Sequence, residues 1–213
     1  MSKQRTVTGS NSLTSNDWVL AAGRAISEGG IEAVAVESLA KKLGVTKGSF
    51  YWHFKDRRAL IETALERWEQ VTTEAAISAT EKVTDPRERL VRLAEQAFDD
   101  DSRISDDSTE GIFRGRAFEL AVSDAADDPI VRPFLRRVTE RRIEYLEECY
   151  RALGFPLEEA RHRALLVYAA HAGTVRLFRE VPGRTPHGEA YLAYRRHLVD
   201  TLVPDGDAGP KSR

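Results

Sequence analysis

The nine residues from Thr46 to Phe54, TKGSFYWHF, gather a lysine, two hydroxyls, two exposable aromatic rings and an imidazole into one short stretch. If the stretch is helical, Phe50 and Phe54 lie one turn apart and face inward. Thr46, Lys47, Ser49, Tyr51, Trp52 and His53 then point largely outward, a mixture that suits phosphates and base edges. Lys47 can reach a guanine edge or a phosphate, and Tyr51, Trp52 and His53 offer stacking, methyl contacts and phosphate bonds. Gly48 lets a sugar-phosphate chain approach the backbone closely. Lys55 and the first amides of the next helix can hold a phosphate, because a helix N-terminus carries partial positive charge. Nine helical residues span about 13 Å and fit a major groove about 12 Å wide. The plainer alternative makes Tyr51 and Trp52 core aromatics, with Trp52 packed on the helix upstream.

A second short helix has to hold this one. Val36, Leu39, Ala40 and Leu43 fall at i, i+3, i+4 and i+7, which draws one apolar stripe. Gly44 follows, where a helix commonly ends in a left-handed residue. Val45 re-enters the core and Thr46 can cap the next helix. Upstream, Ser15 to Ser27 reads as a helix with Val19, Ala22 and Ile26 on one face, capped by Ser15 or Asn16. Downstream, Asp56 can cap a long helix that carries Leu60, Ile61, Ala64, Leu65, Trp68 and Val71 and runs to about Thr84.

The segment LAKKLGVTKGSFYWHFKDRRAL resembles the helix-turn-helix of the TetR family of transcriptional regulators. Leu39-Ala40, Gly44-Val45-Thr46, Gly48, Tyr51, Phe54 and Leu60 carry the likeness, which covers roughly residues 14 to 72. One further matching position is a basic residue of the other type, and one position departs from the family pattern. Arg57 stands where the family mostly has Lys, and Ala35 where it often has a Thr or Ser that caps the helix and touches a phosphate. The resemblance implies a dimer on an inverted-repeat operator in double-stranded DNA, with two reading helices about 34–36 Å apart. It also implies a C-terminal part whose helices enclose an apolar pocket for a small-molecule effector.

Charge agrees with a polyanion at the motif. Residues 41–58 carry a net +5, while residues 71–213 carry a net −4 and the whole chain −2. The bland reading of the same numbers is a solvated basic patch. The single cysteine, Cys149, excludes an intrachain disulfide and fits a reducing cytoplasm. The opening residues have no apolar core, so no signal peptide is expected. The apolar run Ala164 to Phe178 is too short and too polar to span a bilayer.

Other chemistries find no constellation. Asp99, Asp100, Asp101, Asp106 and Asp107 have no glycine-turn spacing of the kind a calcium loop needs and read as a solvated acidic loop. The five histidines do not pair at i, i+4 and none sits near Cys149, so no zinc site is expected; no metal and no cofactor are expected. Cys149 lies on an apolar helical stripe, and no phosphate loop, nucleophile elbow or dinucleotide fingerprint occurs. No catalytic residue is expected.

Beyond the long helix the pattern stays helical. Asp85-Pro86-Arg87-Glu88 is a start signal for a helix striped by Leu90, Leu93, Ala94, Ala97 and Phe98. Helices are expected from Gly111 to about Ala125, from near Pro129–Pro133 to Leu153, from Glu158 to near Arg179, and from about Glu189 to Val203. Eleven of the fifteen residues from Ala164 to Phe178 are apolar, which calls for cover on most sides and makes a partner subunit the economical explanation. Leu165, Leu166, Ala169, Tyr194 and Leu198 are the expected homodimer contacts. Phe98, Phe113, Phe118, Phe134, Tyr168 and His171 are the expected lining of the effector pocket, set against the reading that the aromatics merely fill core.

The chain is therefore expected to be all-α. Residues 14–72 form the DNA reader, 73–204 a larger helical effector-binding and dimerisation part, and 205–213 a disordered tail. A cytoplasmic, ligand-responsive repressor follows. The rival is a helical ligand-binding or enzymatic domain whose helix-turn-helix serves protein contacts.

Overall fold

A computed structural model describes residues 13–98 and 109–203. Those residues are helical with turns and contain no strand, so the all-α expectation holds. Residues 1–12, most of the acidic segment 99–110, and residue 204 with the tail 205–213 lie outside the described residues.

The first helix, α1 (Ser15–Gly29), is capped by Thr14 and not by Ser15 or Asn16. The reason is reciprocity. Asp17 sits three residues on, its carboxylate accepts from the Thr14 amide at 2.7 Å, and its own amide reaches the Thr14 hydroxyl. After a 3₁₀ turn come α2 (Val36–Lys42) and α3 (Lys47–Tyr51). Gly44 between them has φ +70°, and the Val45 amide bonds back to Ala40 at 3.0 Å, closing α2 as its sequence predicts.

The reading helix is shorter than nine residues. Its regular part spans five, after which the His53 amide bonds to Phe50 at 2.9 Å in a tightened last turn. Asp56 caps α4 (Arg57–Glu69) through the Ala59 amide, as expected. The long helix then continues, but not uniformly. Gln70–Glu74 forms a π-turn, closed by the Ala75 amide on the Gln70 carbonyl, before α5 (Ala75–Glu81) completes the rod.

Asp85 and Pro86 open α6 (Pro86–Ala97). The expected helix from Gly111 is broken at Gly115 into α7 (Thr109–Arg114) and α8 (Arg116–Asp124). The three remaining helices are α9 (Val131–Ala152), α10 (Leu157–Glu180) and α11 (Gly188–Leu202). Pro133 is tolerated because it falls in the first turn of α9, where its missing N–H costs nothing.

Two apolar cores result. One gathers Trp18, Ile26, Leu39, Phe50, Leu60, Leu65 and Trp68 from α1 to α4, and also takes Phe113, Phe118 and Val122 from α7 and α8. At Gly23 of α1 an added Cβ would come within 2.9 Å of the Phe113 ring, so only a glycine lets α7 seat there. The other core gathers Ile77, Leu90, Phe98, Tyr145, Leu146, Cys149, Tyr150, Ala164 and Leu202. The rod α4–α5 contributes to both.

Candidate nucleic-acid interface and the cavity behind it

Phe50 hangs α3 on the reader. It is fully buried, edge-on to Trp18 at 5.3 Å and stacked on Phe54 at 5.7 Å. With that side anchored, the opposite face is fixed in solvent. Trp52 is 88% exposed and Tyr51 56%, so neither is a core aromatic. Thr46, Lys47, Gly48 and Lys55 are also exposed, while Ser49 and His53 are half-buried beside them. Leaving an indole in water forfeits the burial free energy of one of the largest apolar side chains, so the position is informative.

One detail of this face differs from the sequence reading, and two more were not legible in it. Thr46 occupies the N-cap position of α3 but makes no side-chain cap bond. Lys47 is engaged by Glu37 of α2, which raises the Lys47 ammonium and lowers the Glu37 carboxyl through their hydrogen bond and mutual charge. Arg57 does not face outward with the other cations. It donates to the carbonyls of Val34 at 2.7 Å and Ile31 at 2.6 Å, tying α4 to the turn before α2. Ala35 begins α2 without a side-chain cap, as its type dictates.

Behind the reader, between α4–α5, α6, α8, α9 and α10, lies a cavity of about 340 Å³. Small and aliphatic residues make most of its wall, among them Val71, Ala75, Ala76, Ile77, Ala94, Leu146 and Val167. Of the six residues expected to line an effector pocket, Tyr168 and His171 are on the wall. Phe98 stands behind His171, ring to ring at 5.9 Å. Phe113 and Phe118 are fully buried in the first core, and Phe134 packs against that core under the Arg137 guanidinium, so these three are not on the wall. Large rings fill space; the cavity opens where side chains are small.

The sequence reading missed the polar centre of this cavity. Arg142 donates to Glu119 at 2.8 Å and, with two further N–H groups, to the hydroxyls of Thr73 and Thr72 of the π-turn, both at 2.9 Å. His171 Nε2 lies 3.2 Å from the same carboxylate. Burial alone would push the Glu119 carboxyl up, but His171 and Arg142 outweigh it and hold the group well below the usual carboxylate range. A signal was present: Arg142 falls in register with Val138, Tyr145 and Cys149, a charge on a core-facing row.

Of the expected dimer contacts, Leu165 and Leu166 on α10 are 51% and 59% exposed, and Ala169 is exposed between turns. Leu177 and Val181 extend the same uncovered row. Tyr194 and Leu198 are half-buried within the chain: Tyr194 meets the Thr174 hydroxyl at 3.3 Å, and Leu198 packs on the second core.

The family model for bacterial regulatory proteins of the tetR family matches residues 19–64. The chain is 28% identical over 151 residues to the HTH-type transcriptional regulator AcrR of Shigella flexneri, covering 68% of this chain and 67% of that one. Among solved structures it resembles a transcriptional regulator from Rhodococcus sp. Rha1 at a TM-score of 0.70 and 22% identity, over 90% of this chain and 94% of that one. It also resembles AibR in complex with isovaleryl coenzyme A and operator DNA at 0.64 and 18% identity, over 90% and 99%. At these identities the structural matches establish the fold.

Proposed function

Because the chain belongs to the tetR family of bacterial regulatory proteins, we propose that it is a dimeric repressor released from an inverted-repeat operator by a small-molecule effector. That it is a DNA-binding transcriptional regulator, not an enzyme, is already carried by its relatives. The finer reading keeps residues 14–72 as the reader and 73–204 as the effector and dimerisation part. Thr46, Lys47, Gly48, Ser49, Tyr51, Trp52, His53 and Lys55 are the proposed DNA contacts. The row Leu165, Leu166 and Ala169 is the proposed dimer seam, and a cytoplasmic site of action goes with it. No helix among the described residues is long and apolar enough to cross a membrane.

One observation carries this reading: Trp52 and Tyr51 stand in water on a helix whose other face is locked by Phe50. An apolar partner would serve such rings too, but it would not explain the cations concentrated around them. A second copy supplies the second half-site, and the uncovered leucines of α10 are suited to hold it. Release is a population shift. The effector has to prefer a form whose reading helices no longer match the groove spacing, since equal affinity for both forms moves nothing.

Selection of duplexes from a random pool tests the proposal. The recovered site is expected to be an inverted repeat, bound by two chains, with an affinity that falls steeply as salt rises. Recovery of direct, unpaired sites by a monomer would defeat the dimer reading. An affinity indifferent to salt would defeat the assigned DNA face.

A further inference from the structure

We propose that Glu37 of α2 is a specificity-determining residue of the DNA face: its carboxylate accepts from the N4 amino group of a cytosine, while Lys47 beside it donates to O6 or N7 of the paired guanine. This rests on reading α3 as the helix that enters the major groove, and it adds a residue from outside that helix. Glu37 lies in the first turn of α2, exposed, whereas Leu39 and Ala40 form the buried side of the same helix. Its carboxylate stands 2.5 Å from Nζ of Lys47, the first residue of α3. Backbone contacts set the spacing of the two helices. The Val45 amide bonds to Ala40, and Arg57 ties down the approach to α2 through the carbonyls of Val34 and Ile31. That spacing places the carboxylate at the start of the reading helix.

A carboxylate is out of place on a surface that serves only phosphates, because it repels them and adds nothing to sequence-independent binding. Residues 35–58 contain two. That of Asp56 caps α4 through the Ala59 amide, and that of Glu37 has Lys47 as its partner. Lys47 holds the Glu37 carboxyl below its ordinary range, so the group is an acceptor at neutral pH. Only two base groups in the major groove can donate to it, cytosine N4 and adenine N6. A carboxylate pairs with cytosine and a lysine with guanine O6 and N7, so the Glu37–Lys47 pair complements both bases of one G·C pair. Lys47 also offsets the negative charge that Glu37 brings near the phosphates. A plainer role is open to Glu37, since a first-turn carboxylate favours the positive end of α2. That role concerns helix stability and is blind to base identity.

Selection from a random duplex pool by the full chain, by Glu37→Ala and by Glu37→Gln separates the two roles. The wild type is expected to recover a G·C pair at one position of each half-site, preferred about tenfold over other pairs. Glu37→Ala brings that position to within about twofold, while every other position keeps its base. Glu37→Gln shifts it to A·T, because a side-chain amide pairs with adenine N6 and N7. Both variants bind a random duplex about threefold more tightly at low salt, since one repelling charge has left. Identical sites from all three proteins overturn the assignment. So does a responding position that is A·T in the wild type, or a Glu37→Gln site that relaxes as the Glu37→Ala site does. Enrichment of no sequence by any of the three overturns the DNA face itself and this inference with it. Enrichment of one common site, indifferent to residue 37, fells this inference alone and leaves the DNA face standing.

Discussion

Two tryptophans show how differently the chain builds its reading face and its interior. Trp52 stands in solvent on α3, held there only because Phe50 on the opposite side is locked into the core. Trp68, one helix later, is closed off beside Phe118, with the Arg142 guanidinium 5.3 Å over its ring. One indole is spent on recognition and one on cohesion. Chemistry needed at a surface is displayed on a short element; chemistry needed inside is assembled from residues far apart in the chain.

Substituting each tryptophan is the sharpest way to break that contrast. Trp68→Ala should cost about 3–5 kcal/mol of folding stability, read from denaturant midpoints. Glu119→Gln should cost about 2 kcal/mol, less than a fully buried pair because both partners keep some solvent contact. It should also flatten the acid limb of stability against pH. The native Glu119 carboxyl is lower than in the unfolded chain, so its contribution is complete above the ordinary carboxylate range and is lost as pH falls below it toward the native value. Trp52→Ala should instead leave stability within about 0.5 kcal/mol and weaken duplex binding on the order of tenfold. The smallest effect is expected from Glu37→Gln, which frees Lys47: duplex affinity rises about threefold, and the gain shrinks as salt screens it. A Trp52→Ala protein that unfolds early, or a Trp68→Ala protein that only loses DNA, would show the two rings to be interchangeable.

Local signals in the sequence were legible and long-range ones were not. Gly44 and Asp56 act within a few residues of themselves, and the inward facing of Phe50 and Phe54 follows from their one-turn spacing. Arg57 is one of the cations of residues 41–58, yet its partners are the carbonyls of Ile31 and Val34, some 25 residues back, which periodicity does not reveal. The cavity was legible only in part, for a related reason. Of the aromatic residues sought there Tyr168 is on the wall, but packing assigns Phe113 and Phe118 to solid core, and Ala75, Ala76, Ala79, Ala94 and Ala97 line the empty volume. Glu119, Arg142 and His171 come from three helices, so their meeting is a property of the bundle.

The π-turn at Gln70–Glu74 sets the phase of the rod that joins the two halves. Successive α-helical residues advance by about 100° around the axis, so one residue looped out between α4 and α5 re-aims everything beyond it by roughly that angle. Trp68 is thereby directed into one apolar nucleus and Ile77 into the other. Arg142, gripping Thr72 and Thr73 on the turn, sits at the crank of this rod. Winding that turn back to an even helix would twist the halves against each other, so a local change of pitch beside the cavity becomes a rotation at the far end.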